Sequence, residues 1–186
     1  MTGSSAEPSR RSRAGDRALH ARRMGIRYYA YTFDADATES ALADPRSVIS
    51  ADPLADAWGL PPGAMSAVTD FVQSVPKSEM LYLDKAWSAL QALTAPANAH
   101  SAARPSHRMF EGRVTPVDLG WISWSRAITP DEVPLIAADL VALQDELTSA
   151  SGAGEEDEYV LDFLHRAVVF VRQVAATGRG FAYLIG

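Results

Sequence analysis

Asp84 and Lys85 stand side by side inside an otherwise apolar run, MLYLDKAWSALQALT, from Met80 to Thr94. A carboxylate and an ammonium that converge on a cleft can act as general base and general acid. Glu111 is a third group that could join them, and the three together would suit a metal-independent hydrolase or transferase. The same pair has a plainer use. Placed on a helix at about 100° per residue, Leu83, Ala86, Trp87, Leu90, Leu93 and Thr94 fall on one side. Asp84 and Gln91 lie on the border of that stripe, and Lys85 points away from it. Asp84 would then cap the helix, its carboxylate accepting the free amides near Ala86 and Trp87. LYL would be an extended lead-in and Lys85 a solvated first-turn residue. Burying Leu83, Leu90 and Leu93 contributes about 1.5–3 kcal/mol each, so the segment has a structural reason that needs no catalysis.

A second concentration of binding-type residues is HRMFEGRVTPVDLGWISWSR, from His107 to Arg126. Tryptophan and arginine dominate interface hot spots. Arg108, Glu111, Trp121, Trp124 and Arg126, joined by Tyr82, Asp84, Lys85 and Gln91 from the first segment, form the candidate binding set. On one strand, Trp121 and Trp124 would point to opposite faces, leaving at least one ring exposed.

Other chemistries find little support. The histidines His20, His100, His107 and His165 include no pair at helical i, i+3 or i, i+4 spacing, so no metal site is expected. There is no HExxH, Walker loop, GxSxG elbow or GxGxxG turn. GRGFAYLIG carries glycines after a helix and before a strand, the reverse of a phosphate-binding order. Asp52, Asp56, Asp84, Glu111 and Asp118 read as solvated charge, since ionised side chains are rarely buried. No cofactor is implied.

The elements that must position these residues follow from local signals. IRYYAYTF, residues 26–33, is an aromatic strand with rings on both faces, expected to be covered on both sides. Asp36 and Glu39 suggest a capping box opening a short helix through Ala43. Residues 44–63, with prolines at 45, 53, 61 and 62, read as loops around one helical turn, pinned by Trp58. MSAVTDFVQSV fits either a strand or a short helix, and HRMFEGRV an extended segment. TPDEVPLIAADLVALQDEL is the clearest helix, with Thr129 as cap, Pro130 in its first position and Glu132 reaching back. Val133, Ile136, Leu140, Leu143 and Leu147 make its buried face. TSASGAGEEDE is a loop. A last helix from about 156 to 177 has four acids at its N-terminus, an apolar face including Tyr159, Phe163, Leu164 and Val171, and Gly178 as its stop. FAYLIG closes the chain as a buried strand.

The 186 residues fit one domain with a substantial core. Cysteine is absent, which excludes disulfides and thiolate chemistry and suits a reducing, cytoplasmic setting. No apolar run approaches the roughly 18 residues of a membrane span. The chain carries a net charge of −6, but residues 1–23 hold six arginines against Glu7 and Asp16, leaving residues 24–186 at −10. That acidic body argues against nucleic acid as a partner. The arginine-rich tail is expected to be disordered, and Met24 reads as a natural start. Fifteen arginines against two lysines suggest a GC-rich bacterial genome.

LYLDKAWSALQALT resembles the hallmark segment of the YfbM-like family, bacterial proteins without an assigned function. Leu83, Asp84, Lys85, Trp87, Leu90 and Thr94 match its pattern; Gln91 replaces a histidine and Ala95 a glycine. The strand after Met24, the AITPDEVPLIAADL helix and the terminal helix with GRGFAYLIG agree with it. The resemblance implies a single α+β domain over residues 24–186, a small mixed sheet covered by helices. It implies no activity, and Gln91 could not do acid–base or metal work that a histidine might. The leading expectation is a cofactor-free domain that binds a protein or small molecule; the alternative is the hydrolase or transferase built on Asp84, Lys85 and Glu111.

Overall fold

The computed structural model describes residues 25–150 and 154–186, so the expectation of a disordered tail over residues 1–23 lies outside the described residues. The fold is α+β. Strands β1 (Tyr28–Phe33), β2 (Met80–Asp84), β5 (Trp124–Ile128) and β6 (Gly180–Ile185) form one sheet in the order β2-β1-β6-β5. Strands β3 (Thr115–Val117) and β4 (Gly120–Ile122) form a separate hairpin. The helices are α1 (Thr38–Ala43), α2 (Pro53–Trp58), α3 (Trp87–Thr94), α4 (Val133–Ala150) and α5 (Glu155–Ala176). All three pairings within the four-stranded sheet are antiparallel rather than mixed.

The double aromatic pattern of β1 is explained by two cores. Tyr28 and Ala30, with Leu81, Leu83, Phe181, Tyr183, Ile185 and Ile128, face the large core built by α3, α4 and α5. Tyr29, Tyr31 and Phe33 face the other way, against smaller clusters that include Ala41 of α1, Ala57 of α2 and the Ile49 side chain. Every residue of β1 except Thr32 is buried. The terminal strand β6 sits between β1 and β5 and is equally enclosed.

The two long helices follow their sequence signals closely. Glu132 Oε2 accepts the Thr129 amide at 3.0 Å, the reach-back expected of it, although regular helix begins only at Val133. Val133, Ile136, Leu140 and Leu143 are buried. Helix α4 runs three residues past Leu147, into the stretch read as loop. Helix α5 ends in a Schellman closure: Arg179 N–H donates to Val174 O and Gly178 N–H to Ala175 O, both at 3.2 Å. Gly178 has φ +64°, which glycine adopts without steric cost.

Four local expectations differ from what forms. The Asp36–Glu39 box is absent, because residues 35–37 make a 3-10 turn and α1 starts at Thr38 with no side-chain cap. HRMFEGRV is not extended; residues 105–109 make a 3-10 turn held on α4, where Asp139 Oδ2 accepts the Ser106 amide at 3.0 Å. MSAVTDFVQSV is neither strand nor helix and meets regular structure in one bridge, Leu60 to Val72. Trp121 and Trp124 lie on different strands, parted by Ser123.

The irregular segment after α2 is tied to the sheet by one buried carboxylate. Asp56 Oδ2 accepts from the Tyr31 hydroxyl at 3.0 Å, and Oδ1 accepts from Ser74 N, Ser74 Oγ and Val75 N at 2.5, 2.9 and 3.1 Å. Burial pushes the Asp56 carboxyl up, but the hydrogen bonds from Ser50, Ser74 and Val75 outweigh it and hold the pKa below its ordinary 3.8. A depressed folded-state pKa adds stability that is present above the unfolded value and disappears as pH falls through the folded one. Asp56→Asn is therefore expected to cost about 1–3 kcal/mol at neutral pH. Urea unfolding between pH 7 and pH 3 should show a shallower acid decline for the variant than for the native chain.

Candidate functional site

Asp84 does not cap a helix. Helix α3 begins three residues further on, at Trp87, with no side-chain cap. Asp84 is instead the last residue of β2 and has φ +45°, the one positive φ outside glycine among the described residues. The pairing with β1 slips here: Tyr29 faces Tyr82 while Tyr28 faces Asp84, so Leu83 is the extra residue of a bulge. The Ala86 amide then closes a turn on Leu83 O at 3.0 Å. Strand thus passes into helix within two residues. Aspartate tolerates the left-handed region better than most side chains, which gives Asp84 a conformational role independent of its charge.

The Asp84 carboxylate gathers three partners. Oδ1 accepts from the Tyr82 hydroxyl at 2.9 Å and lies 3.3 Å from Arg27 Nε; Oδ2 accepts from the Tyr159 hydroxyl at 3.2 Å. Arg27 Nε also donates to Tyr82 Oη at 3.0 Å. Tyr82 is flanked by Tyr29, with ring centroids 5.4 Å apart, and by the edge of Trp58 at 6.3 Å. Burial, with help from Asp84, raises the pKa of Tyr82 and Tyr159, and burial with Tyr82 pushes Tyr29 up to about 12. These phenols are hydrogen-bond donors at neutral pH, not nucleophiles. A carboxylate holding three donors is likewise poorly placed to take a proton from a substrate.

The nine residues singled out from sequence separate into two groups. Tyr82 and Asp84 belong to the cluster just described. Lys85 is exposed on the turn beside it, and no ion pair joins it to Asp84 among the described residues. Gln91, Arg108, Glu111, Trp124 and Arg126 assemble on the opposite side of the sheet, around the 105–112 segment. Gln91 Nε2 donates to the carbonyls of Phe110 and Gly112, at 2.5 and 3.0 Å. Glu111 pairs with Arg126 and Arg108 with Glu132. The Tyr183 hydroxyl, from the centre of the sheet, reaches the carbonyls of Arg108 and Glu111 at 3.0 and 2.9 Å. The Trp124 indole lies over Gly112, so close that a Cβ there would sit 2.2 Å from Nε1. This group fastens a loop. Trp121 is apart from both, its ring against Gly25.

Asp84, Tyr28, Ile185 and Trp124 form one row across the four strands. At about 4.8 Å per strand, Asp84 and Trp124 are roughly 14 Å apart along it. Asp84 ends one edge strand, and Glu111 pairs with Arg126 of the other.

A cleft with a volume of about 490 Å³ lies on the Asp84 side. Its floor is Met80, Leu81 and Tyr82 of β2, the outermost strand. One wall is α5, through His165, Arg166, Val169, Phe170 and Gln173; the other is Ala57, Lys77 and Ser78. Of these only Tyr82 was anticipated. Lys77 donates to the carbonyls of Asp56 and Ala57 at the end of α2. Arg166 pairs with Asp162 at 2.7 Å and sits 4.8 Å from the centre of the Phe163 ring. His165 Nδ1 is 3.2 Å from Gln144 Nε2. Trp58, 61% exposed, stands against Tyr82. Tyr82 could be singled out because it adjoins Asp84; the α5 residues carry only the signal of a polar helix face. No group of three or more His, Asp or Glu side chains among the described residues is placed to hold a metal. No described helix is long and apolar enough to cross a membrane.

No protein-family model, curated protein or solved structure matches this chain.

The backbone role of Asp84 separates from its charge by substitution. Asp84→Asn keeps a side chain suited to positive φ, whereas Asp84→Val does not. The valine variant is expected to be less stable than the asparagine variant by about 1–2 kcal/mol in chemical denaturation. Equal stabilities would show that the conformation carries no such preference.

Proposed function

We propose that the chain is a cofactor-free binding domain whose ligand, a protein segment or a small molecule, occupies the cleft between β2 and α5. The observation that carries this reading is the cleft itself: a volume of about 490 Å³ lying along the outer strand of the sheet, with an exposed tryptophan standing on its floor residue Tyr82. Concave, partly apolar clefts with a few polar groups are the usual form of ligand sites. Membership of the YfbM-like family and a cytoplasmic bacterial setting belong to the same proposal. They rest on the Leu83-Asp84-Lys85-x-Trp87 core and on the absence of cysteine.

The hydrolase or transferase alternative draws no support from the geometry. Asp84 ends one edge strand and is engaged by Arg27, while Glu111 is engaged by Arg126 of the other edge strand. The Trp121–Trp124 region, the other surface suggested by sequence, keeps Trp124 and the hairpin residues Val117, Leu119 and Ile122 exposed and is read by the same experiment.

Amide NMR spectra recorded with mixtures of short peptides and fragment-sized organic molecules test the reading. The largest shifts are expected at residues 77–82 and 165–173. Val169, 51% exposed on the α5 wall, offers a block. Val169→Trp should abolish those shifts while changing stability by less than about 0.5 kcal/mol, as for most surface substitutions. Shifts centred on Trp121 and Trp124, or none in the cleft with any probe, would refute the proposal.

A further inference from the structure

The hydrogen-bonding phase of the sheet identifies what the cleft floor offers. Arg27 and Gly186 exchange both of their backbone hydrogen bonds, each at 2.9 Å. In an antiparallel ladder such pairs alternate with pairs whose N–H and C=O groups point the other way. Tyr29, Tyr31 and Phe33 therefore direct their backbone groups to β6, and Ala30 directs its own to Leu81, its partner on β2. Met80 and Tyr82, opposite Tyr31 and Tyr29, must turn their N–H and C=O groups away from β1, over the cleft. Among the described residues the floor is thus an open sheet edge, bordered by a helix on one side and a turn on the other.

Charge selects the occupant. The cleft lining contains the cations Lys77 and Arg166, the latter also paired with Asp162 outside the lining, and no aspartate or glutamate, on a chain whose net charge is −6. A local reversal of sign against the body's field favours an acidic ligand. The chain's own residues 1–23, at a net +4, have the wrong charge.

The geometry points to β-strand addition: an extended acidic segment of a partner protein binds as a fifth strand beside β2. It exchanges main-chain hydrogen bonds with Met80 and Tyr82, its apolar side chains rest on Val169 and Phe170, and its carboxylates meet Lys77, His165 and Arg166. This rests on the cleft reading above and specifies its ligand. In strand addition the main chain supplies affinity and alternate side chains supply specificity. The strand Met80–Asp84 spans about 17 Å, the length of an extended segment of roughly five residues.

The test uses the full chain and a blocked hexapeptide of alternating valine and glutamate, with binding read by fluorescence anisotropy and by amide NMR. The expected result is saturable binding that weakens with added salt, shifts centred on Met80–Tyr82, and loss of binding when the glutamates are replaced by lysine. A peptide N-methylated on the amides facing β2 should also fail. Arg166→Glu, at an exposed helix position, should weaken binding about fivefold or more. Equal binding of the N-methylated peptide would overturn strand addition while leaving the cleft as a ligand site. No response of cleft resonances to the hexapeptide would overturn it too, and the fragment mixtures then decide separately whether the cleft binds anything. A concentration-dependent dimer of the free protein that is broken by Tyr82→Pro would assign the edge to a second copy and would also refute it.

Discussion

Two hydrogen bonds between Arg27 and Gly186 set the phase of the whole sheet. Once that pair is fixed, every other backbone group in β1 is committed to β6 or to β2, and the outward face of β2 follows. The same register places Tyr28, Tyr183, Ile185 and Leu83 toward the long helices and Tyr29, Tyr31 and Ala182 toward the smaller layer. A slip of one residue would exchange the two sets. With aromatic rings on both faces of β1, neither arrangement would be excluded by hydrophobicity alone. The close Arg27–Gly186 pairing and the small residues Gly180 and Ala182 opposite Phe33 and Tyr31 settle it: a Cβ on Gly180 would come within 2.4 Å of the Phe33 ring.

An outer strand with open backbone groups is a hazard for aggregation, and proteins commonly protect such strands with charge, proline or bulges. β2 shows each of these at its ends. Pro76 and Lys77 precede it, and the bulge at Leu83 with the positive φ of Asp84 ends it. Asp84 then turns the chain into α3, while its carboxylate ties β2 to the start of β1 through Arg27 and to α5 through Tyr159. The edge is therefore short, held at both ends and open in the middle. These features suit selective addition of one segment better than indiscriminate stacking.

Much of the architecture could be read from residue pattern. The buried faces of α4 and α5, the glycine stop at Gly178 and the enclosed strands β1 and β6 all follow from periodicities that local and tertiary forces reinforce together. The failures have a common cause. Asp84 looks like a helix cap because caps and left-handed turns both favour aspartate, and only the register of β2 against β1 distinguishes them. The hydrogen bonds that Gln91 Nε2 donates to the carbonyls of Phe110 and Gly112 join residues about twenty apart, which no local pattern shows. Nothing in the local sequence shows that Glu111 pairs with Arg126 of β5 while Asp84 ends β2, the opposite edge strand. Arg27, Trp58, Tyr159, His165 and Arg166 come together from three distant segments, so no local spacing announces them.

The central claim is that Met80 and Tyr82 present free main-chain groups to the cleft while Leu81 is bonded to β1. Residue-resolved amide hydrogen exchange on the free monomer tests it most directly. The account requires alternation, with Leu81 exchanging slowly with the core and Met80 and Tyr82 exchanging far faster. Uniform strong protection across all three amides would contradict it, because it would mean that the outer side of β2 is already paired.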